Sequence, residues 1–439
     1  MVGINWVYAP VGDVNTDSRN PVIGVRSYGD DPHEVAKYAT ATFRGHLSSR
    51  VASTGKHFPG HGDTHIDSHL ALPRILKSHS ELVSTELVPF KELISAGIPS
   101  TMTGHMAEGG DTPCSLSRKI TTELLKEEMQ FQGVVVTDCL EMDAIAEPKQ
   151  GGCGVREGAV RALEAGADVV MICHRFERQR EAVEAVWEAV WEGRIGWDEL
   201  RQSGRRVAGM KDVFCTVKEV KEEESVGEEE WERKWEEVRD KNRVLSEEAY
   251  LKSTTVVWNG NSGKNGDERN GGLALFTPAL ESVNKAVDSG EEDGVLRGPN
   301  GVRNTAGAHY LALARAVEER QVKVKHHVYA AGDSESEVAG TLGSAGAILF
   351  VLRNADQKRW QLEYLGRLRA LVLQERITAP VVLVSSCGPY DLSGLEGEKY
   401  RDWTGYVATY EFTREALEGA VKVVLGTAKG AGKMPVSVI

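Results

Sequence analysis

The stretch Gly55-Lys-His-Phe-Pro-Gly-His-Gly-Asp-Thr-His-Ile-Asp-Ser-His69 decides how the rest of the chain is interpreted. It holds four histidines, two aspartates, one lysine and three glycines, and it follows directly on a short apolar segment. A loop with only a structural role has no reason to carry so many titratable groups. We therefore expect the chemistry of the protein to lie here, and the flanking segments to support it.

The amino-acid composition indicates the general class of protein. The chain has 439 residues, of which 41% are hydrophobic and 27% charged, and this length favours two globular domains over one. A net charge of −13 argues against nucleic acid or an anionic membrane as a partner. A small, neutral or modestly polar molecule is the expected partner, and the possibility of a homo-oligomer is left open.

The cysteine spacing and the amino-terminal sequence indicate the cellular compartment in which we expect the protein. The six cysteines are scattered without CxxC pairs, which is typical of free thiols in a reducing environment. The first residues lack the basic and apolar regions of a signal peptide, and no stretch approaches about 20 apolar residues. We expect a cytoplasmic location and no membrane partner.

Strand-type segments alternate with helical ones in the amino-terminal half. A short strand at 4–9 and a loop lead to a helix that begins at Pro32, with a buried stripe of Val35, Ala36, Ala39 and Phe43. The next strands and helices are predicted, in order, at 51–58 and 80–96, 98–104 and 121–130, 134–137 and 156–165, and 168–173 and 177–192. This alternation predicts parallel βαβ units with a sheet buried on both faces.

Polar residues at the strand ends favour a barrel over an open sheet. The residues at or just beyond these ends are Lys56, His57, His105, Asp138 and His174. The active sites of (β/α)8 barrels are built from the carboxyl ends of the strands. We therefore expect a barrel, with His105 either lining the pocket or satisfying a backbone carbonyl, and with Cys173 and His174 in structural roles.

The number of units is smaller than a complete barrel requires. Five strand–helix units precede residue 195, whereas a barrel has eight of each. The predicted fold class is α/β: a (β/α)8 TIM-type barrel lacking about its first three βα units, followed by a second α/β layered domain. We expect an incomplete TIM-type catalytic barrel over 1–195, a charged helical linker over 196–250 and a carboxy-terminal α/β domain over 251–439.

The histidines of the central stretch are open to two readings. His57, His61, His65 and His69 are four apart, which on a helix would align them as metal ligands. Pro59, Gly60 and Gly62 disfavour a helix there, so no metal and no cofactor are expected. In an extended loop, residues two apart project to the same side, so Asp67 can orient His69 as a general acid or base.

Asp138 supplies the nucleophile that such a pair needs. It ends the apolar run Gly133-Val-Val-Val-Thr-Asp138, and a carboxylate fixed at a strand end can attack an electrophilic carbon. A helix cap or an ion-pair partner is the structural alternative for an isolated strand-end aspartate.

The wording of three motifs resembles the family 3 glycoside hydrolases, and within them the β-N-acetylglucosaminidase branch. These motifs are Gly55-Lys-His-Phe-Pro-Gly-His-Gly-Asp-Thr64 with Asp67-Ser-His69, Arg26-Ser-Tyr-Gly-Asp-Asp-Pro32 and Val136-Thr-Asp-Cys-Leu-Glu-Met142. The resemblance implies that Asp138 is the nucleophile of a retaining mechanism and that Asp67 and His69 form the acid/base dyad. It also implies that Arg26, Lys56 and His57 bind sugar hydroxyls and that the substrate carries a terminal GlcNAc.

The missing units leave three alternatives. The chain is a fragment of a complete enzyme, or its missing units come from another chain, or it is a non-catalytic GlcNAc-binding homologue. Transfer to phosphate is a further alternative, because a histidine dyad avoids the repulsion that a carboxylate imposes on an incoming phosphate. The physiological aglycone is not specified by the sequence.

Overall fold

The structure is a computed structural model, described here for residues 3–64, 72–215, 227–260, 271–279, 307–343, 345–393 and 403–437. The chain divides into two compact units, Met1–Trp235 and Glu236–Ile439. The boundary between them falls inside a long helix, Glu228–Ser253. Each unit is described by itself.

A parallel sheet of five strands forms the centre of the amino-terminal unit. Its order is β1 (Trp6–Val7), β2 (Ala52–Phe58), β4 (Ser100–Thr103), β6 (Val134–Cys139) and β7 (Val169–Met171). All four neighbouring pairs are parallel, so the strands lie in chain order across the sheet. A separate two-stranded parallel pair consists of β3 (Arg74–Ile75) and β5 (Ala107–Glu108). These pairs confirm the predicted parallel strands.

Helices connect these strands. The α-helices are α1 (Pro32–Ser48), α2 (His79–Ser84), α3 (Leu87–Ser95), α4 (Asp143–Ala146), α5 (Val155–Ala165), α6 (Phe176–Trp191) and α7 (Trp197–Phe214). Short 3-10 turns lie at Gly24–Arg26, Cys114–Leu116 and Pro148–Gln150. Lys119–Glu128 forms a π-helix rather than the α-helix that its apolar spacing suggests.

Helix α1 shows how local sequence sets an element. The Asp31 side chain accepts the N–H groups of His33 and Glu34, and Pro32 occupies the first turn, where its missing N–H costs nothing. The predicted stripe of Val35, Ala36, Ala39 and Phe43 is buried, which confirms that prediction.

The helix predicted over 80–96 is two helices. α2 ends at Ser84 and α3 begins at Leu87, with Thr85 in a non-helical conformation between them. The side chain of Glu86 is fully buried at this break and forms an ion pair with Lys77. The lysine offsets part of the cost of burying this carboxylate.

Aromatic and aliphatic side chains hold α3 against β2. The rings of Phe58 and Phe90 meet edge to face with their centroids 5.3 Å apart. Gly55 lies so close to this helix that an added Cβ would be 3.1 Å from a methyl group of Leu93. The packing fixes the strand that carries Lys56 and His57, because both follow directly on Gly55.

The carboxy-terminal unit contains a six-stranded sheet. Its order is β10 (Val324–Tyr329), β9 (Gly272–Pro278), β11 (Ala345–Leu352), β12 (Val381–Ser385), β13 (Gly405–Ala408) and β8 (Thr255–Asn259). Only the edge strand β8 runs antiparallel to its neighbour. The described helices of this unit are Gly307–Glu318, Glu335–Leu342, Trp360–Gln374 and Arg414–Val424, with the carboxyl part of Glu228–Ser253.

Two strands of this sheet have no clear signal in the sequence. β10 carries Lys325, His326 and His327 in its middle, which breaks the apolar run that marks a buried strand. β13 has only four residues. Over the described ranges, no helix has the length and apolar content needed to cross a membrane.

Candidate active site

The carboxyl ends of three neighbouring strands bring the predicted polar residues together. β2 ends with Lys56 and His57, β4 is followed by His105, and β6 ends with Asp138. Because parallel strands place their carboxyl ends at one edge of the sheet, these side chains share that edge.

His57 lies at the centre of the group. Its ring is buried, and its Nδ1 lies 2.7 Å from Oδ2 of Asp13. Its Nε2 lies 3.3 Å from Nη2 of Arg26 and 3.9 Å from Oδ2 of Asp138. An ionised carboxylate can only accept, so the short contact with Asp13 places a proton on Nδ1.

Asp13 is a site residue that sequence reasoning missed. Its carboxylate is fully buried, and Oδ1 accepts the backbone N–H groups of His57 (3.1 Å) and His61 (2.8 Å). Burial by itself would raise the pKa of Asp13, but the charge and hydrogen bonds of His57 outweigh it and lower the pKa to about 2. Asp13 is therefore ionised and fixes the orientation of the His57 ring. The available signal was its position a few residues beyond β1, equivalent to that of the other strand-end groups.

Asp138 is the carboxylate that the site leaves within reach of a ligand. Its side chain is 19% exposed, and its Oδ1 accepts the N–H of Cys139 at 2.8 Å. Burial would raise its pKa, but the charges of His57 and His105, the Cys139 N–H and the charge of Lys56 together hold the pKa below its ordinary value. The group is ionised at neutral pH, as a nucleophile must be.

Lys56 and Arg26 supply positive charge on the same side. Burial and the neighbouring Arg26 lower the pKa of the Lys56 ammonium, while Asp138 and Asp13 act in the opposite direction. The turn Gly24–Arg26 presents the Arg26 side chain to His57. The structure thus gathers Arg26, Lys56, His57 and Asp138, which were expected to lie together.

The remaining predicted residues fall into two groups. Asp67 and His69, the predicted dyad, and His65 lie outside the described residues. His61 is buried with Nδ1 2.7 Å from Oγ1 of Thr64, and burial followed by the charge of His57 lowers its pKa to about 4, so it is neutral. A buried neutral imidazole tied to a hydroxyl has the features of a supporting residue.

His105 is also held from both sides. Its Nδ1 lies 2.8 Å from Oγ of Ser115 and its Nε2 lies 2.9 Å from the carbonyl oxygen of Cys139. The ring is fully buried. This histidine acts on Asp138 through its charge and through the backbone of β6. Of its two predicted roles, it has the one in which it satisfies a backbone carbonyl.

This arrangement can bind and react with a polar, electrophilic substrate. An ionised carboxylate lies beside a fixed imidazole, an ammonium and a guanidinium, all of which are suited to hydroxyl recognition. The carboxylate can serve as a nucleophile or stabilise a developing positive charge.

Comparison with known proteins gives the class. Residues 1–210 match the family described as "Glycosyl hydrolase family 3 N terminal domain", which confirms the predicted resemblance. The parallel sheet forms a curled half-barrel, and the α/β fold of the chain aligns with solved structures of family 3 proteins.

Individual relatives indicate which kind of glycoside hydrolase the chain resembles. The chain is 33% identical over 231 residues to the β-hexosaminidase A of Pseudoalteromonas piscicida, covering 48% of this chain and 38% of that one. It is 39% identical over 174 residues to a β-hexosaminidase of Tolumonas auensis, covering 39% of this chain and 50% of that one. The chain thus matches about half or less of the length of these two relatives.

Two solved structures align with nearly the whole chain. A fungal multi-domain family 3 β-N-acetylglucosaminidase is 30% identical with a TM-score of 0.83, over 99% of this chain and 47% of that one. A family 3 β-N-acetylglucosaminidase from Paenibacillus sp. FPU-7 is 29% identical with a TM-score of 0.77, over 99% of this chain and 77% of that one. Both units of the chain therefore have counterparts in proteins of this kind.

Proposed function

We propose that the protein is a retaining exo-β-N-acetylglucosaminidase that removes terminal GlcNAc from small glycosides. The observation that carries the proposal is the ionised, partly exposed Asp138 at the end of β6, beside His57 held by Asp13. The names of the relatives, β-hexosaminidase and β-N-acetylglucosaminidase, support the sugar.

In this mechanism Asp138 attacks the anomeric carbon as the bond to the leaving group breaks. The product of that step is a glycosyl ester, which water then hydrolyses, so the sugar keeps its anomeric configuration. Arg26, Lys56 and His57 bind hydroxyl groups of the sugar. Their donors lie next to the nucleophile, where they orient the ring for attack.

The acid/base step is assigned to Asp67 and His69. His69 donates a proton to the leaving oxygen and later accepts one from water, and Asp67 orients the imidazole and stabilises its charged form. Support comes from the Asp67-Ser-His69 motif, which follows the Gly55–Thr64 motif in the order that the family resemblance implies.

We further propose that the five-stranded sheet is part of a (β/α)8 barrel that is completed by about three further βα units. The domain division proposed from sequence, with a catalytic barrel over 1–195, a linker over 196–250 and an α/β domain over 251–439, accompanies this proposal. A cytoplasmic location stays a prediction.

The test is turnover of an aryl β-GlcNAc glycoside by the purified chain, with and without inorganic phosphate. Release of the chromophore together with free GlcNAc is expected, and it should disappear in Asp138→Ala. Formation of GlcNAc-1-phosphate would make the protein a phosphorylase. Binding of GlcNAc without turnover of any aryl glycoside would make it a non-catalytic homologue.

A further inference from the structure

A second cluster of reactive side chains lies at the ends of β6 and β7. It consists of Cys139 at the end of β6, Glu141 two residues on, and His174 beyond the end of β7. One ligand atom of each, a thiol sulfur, a carboxylate oxygen and an imidazole nitrogen, lie within 4.8 Å of one another. None of these residues has a part in the proposed glycosidase mechanism.

Glu141 is oriented as a ligand would be. Its side chain is only 5% exposed, and Oε2 accepts the backbone N–H groups of Cys173 (3.0 Å) and His174 (2.6 Å). The other oxygen, Oε1, is buried and has no hydrogen bond from any residue that the structure describes. Backbone donors thus fix the carboxylate while one of its oxygens remains available, which is the arrangement that outer-shell contacts give to metal ligands.

The donor set matches a particular class of cation. Thiolate, imidazole and carboxylate together are ligands of Zn²⁺, and they suit the hard cations Ca²⁺ and Mg²⁺ poorly. Tetrahedral zinc with these ligands needs donors about 3.3–3.8 Å apart. A contraction of about 1 Å reaches that distance, and the exposed His174 side chain is free to provide part of it.

The surroundings of the Cys139 sulfur also favour a zinc site. The thiol of Cys173 contacts that of Cys139, which adds a second sulfur at the rim of the cluster. Zinc binds the thiolate form of cysteine, so its binding at this site would release the thiol proton.

We propose that Cys139, Glu141 and His174 bind one Zn²⁺ ion that ties the ends of β6 and β7 together. The three side chains are distinct from those that bind the sugar, although Cys139 directly follows Asp138, and the proposal does not depend on the proposed glycosidase activity. Arg178 is the competing cation, because its Nη1 lies 3.8 Å from Oε1 of Glu141. A zinc ion has to displace this weak contact, so Arg178→Gln should bind zinc more tightly than the wild-type chain.

The experiment is a zinc titration of the full chain, stripped with a chelator and kept reduced with a phosphine, against a competing chromophoric chelator. One ion per chain is expected. Cys139→Ser and His174→Asn should each weaken binding at least about tenfold. His174 is exposed, so its substitution leaves the fold intact even if Cys139→Ser does not. Cys153→Ser and His33→Asn, at a thiol and an imidazole outside the cluster, are the matched controls.

Cobalt gives an independent readout. Co²⁺ bound at this site should show a thiolate-to-metal charge-transfer band, lost in Cys139→Ser and kept in Cys153→Ser. Zinc should also raise the melting temperature of the wild-type chain and not that of His174→Asn. Less than one tightly bound ion per chain, or binding that His174→Asn leaves unchanged, would overturn the proposal.

Discussion

Two aspartates, one in each unit, follow the same kind of strand, and their pKa values are shifted in opposite directions. Asp138 ends a parallel strand of the amino-terminal sheet, and cationic side chains hold its pKa below the ordinary value. Asp391 follows a parallel strand of the carboxy-terminal sheet, is fully buried, and has a pKa that burial raises to about 7. The architecture of strand and loop is common to both, so the neighbours decide what each carboxyl group can do.

The hydrogen-bond partners of the Asp391 carboxyl group are neutral. Its Oδ1 accepts the N–H of Ala355 at 2.6 Å, and its Oδ2 lies 2.5 Å from Oγ of Ser385. Oγ of Ser385 also lies 2.5 Å from the carbonyl oxygen of Gly388. A protonated Asp391 can donate to the serine, which then donates to the carbonyl. This group stabilises the ends of two strands, whereas Asp138, beside an imidazole and two cationic side chains, is suited to chemistry.

The largest expected effect comes from removing the reactive carboxylate. Asp138→Asn should lower kcat/KM by about 10⁴-fold or more, because the covalent intermediate can no longer form. Asp391→Asn should leave kcat/KM within about twofold. Both values are measured with the aryl β-GlcNAc substrate. Equal losses in the two variants would remove the distinction between the two aspartates.

Asp13→Asn tests whether the Asp13 carboxylate orients His57 for the reaction. We expect kcat/KM to fall about 10²-fold, because the His57 ring loses its orienting carboxylate and a nitrogen replaces one of the two oxygens. Steady-state kinetics check this against Asp111→Asn, an exposed aspartate paired with Arg74. A variant with unchanged kinetics would show that Asp13 has only a structural role.

Asp13 also predicts a pH effect on stability. Its folded-state pKa of about 2 is below its ordinary value of 3.8, so the stability it contributes is present above pH 4 and is lost as pH falls from about 4 to about 2. The difference corresponds to about 2 kcal/mol. Asp13→Asn should lack this acid-dependent loss in urea unfolding monitored between pH 5 and pH 2.

The opposite sign is expected for Asp391. Its folded-state pKa is raised from 3.8 to about 7, so the stability it contributes is present below pH 4 and is lost as pH rises to about 7. The loss corresponds to about 4 kcal/mol. Asp391→Asn preserves the hydrogen bonds with a neutral amide, so it should be more stable than the wild-type chain at pH 8. Hydrogen exchange of peptides from β11 and β12 measures this, and a variant less stable at pH 8 would contradict it.

The smallest effect is expected at His105. Its charge is among the causes that hold the pKa of Asp138 low, so His105→Gln should move the acid limb of the kcat/KM profile to higher pH. The maximal rate should change less than about tenfold, because the substitution removes only the hydrogen bond to the Cys139 carbonyl. An unmoved acid limb would show that another group sets it.

Most of the amino-terminal fold could be predicted from sequence because its strands are apolar runs that end in polar residues. The stripe of α1, the parallel strands and the gathering of Lys56, His57 and Asp138 all follow from patterns within a few residues. The break between α2 and α3 falls four residues before Pro89, whose missing N–H and ring disfavour a continuous helix, so the sequence does carry a signal for it. The polar strand β10 has no such signal, since its neighbours in the sheet, not its own residues, make it a strand.

The residues of the candidate site could likewise be predicted only where the local sequence identifies them. Single strand-end residues can be read from the sequence, but pairs that form across long separations cannot. Asp13 and His57 are 44 residues apart, and nothing local shows that one carboxylate holds both the ring and the backbone of the other segment. The raised pKa of Asp391 likewise depends on burial that only the folded chain creates.

The central claim is that Asp138 forms a covalent bond to the sugar. The direct test is to incubate the chain with a 5-fluoro N-acetylglucosaminyl fluoride, in which the ring fluorine slows both steps and the fluoride leaving group favours the first. Mass spectrometry of the digested protein should find one fluoro-GlcNAc adduct per chain, on the peptide that contains Asp138. An adduct on another residue, or none from a chain that turns over the aryl glycoside, would contradict the account.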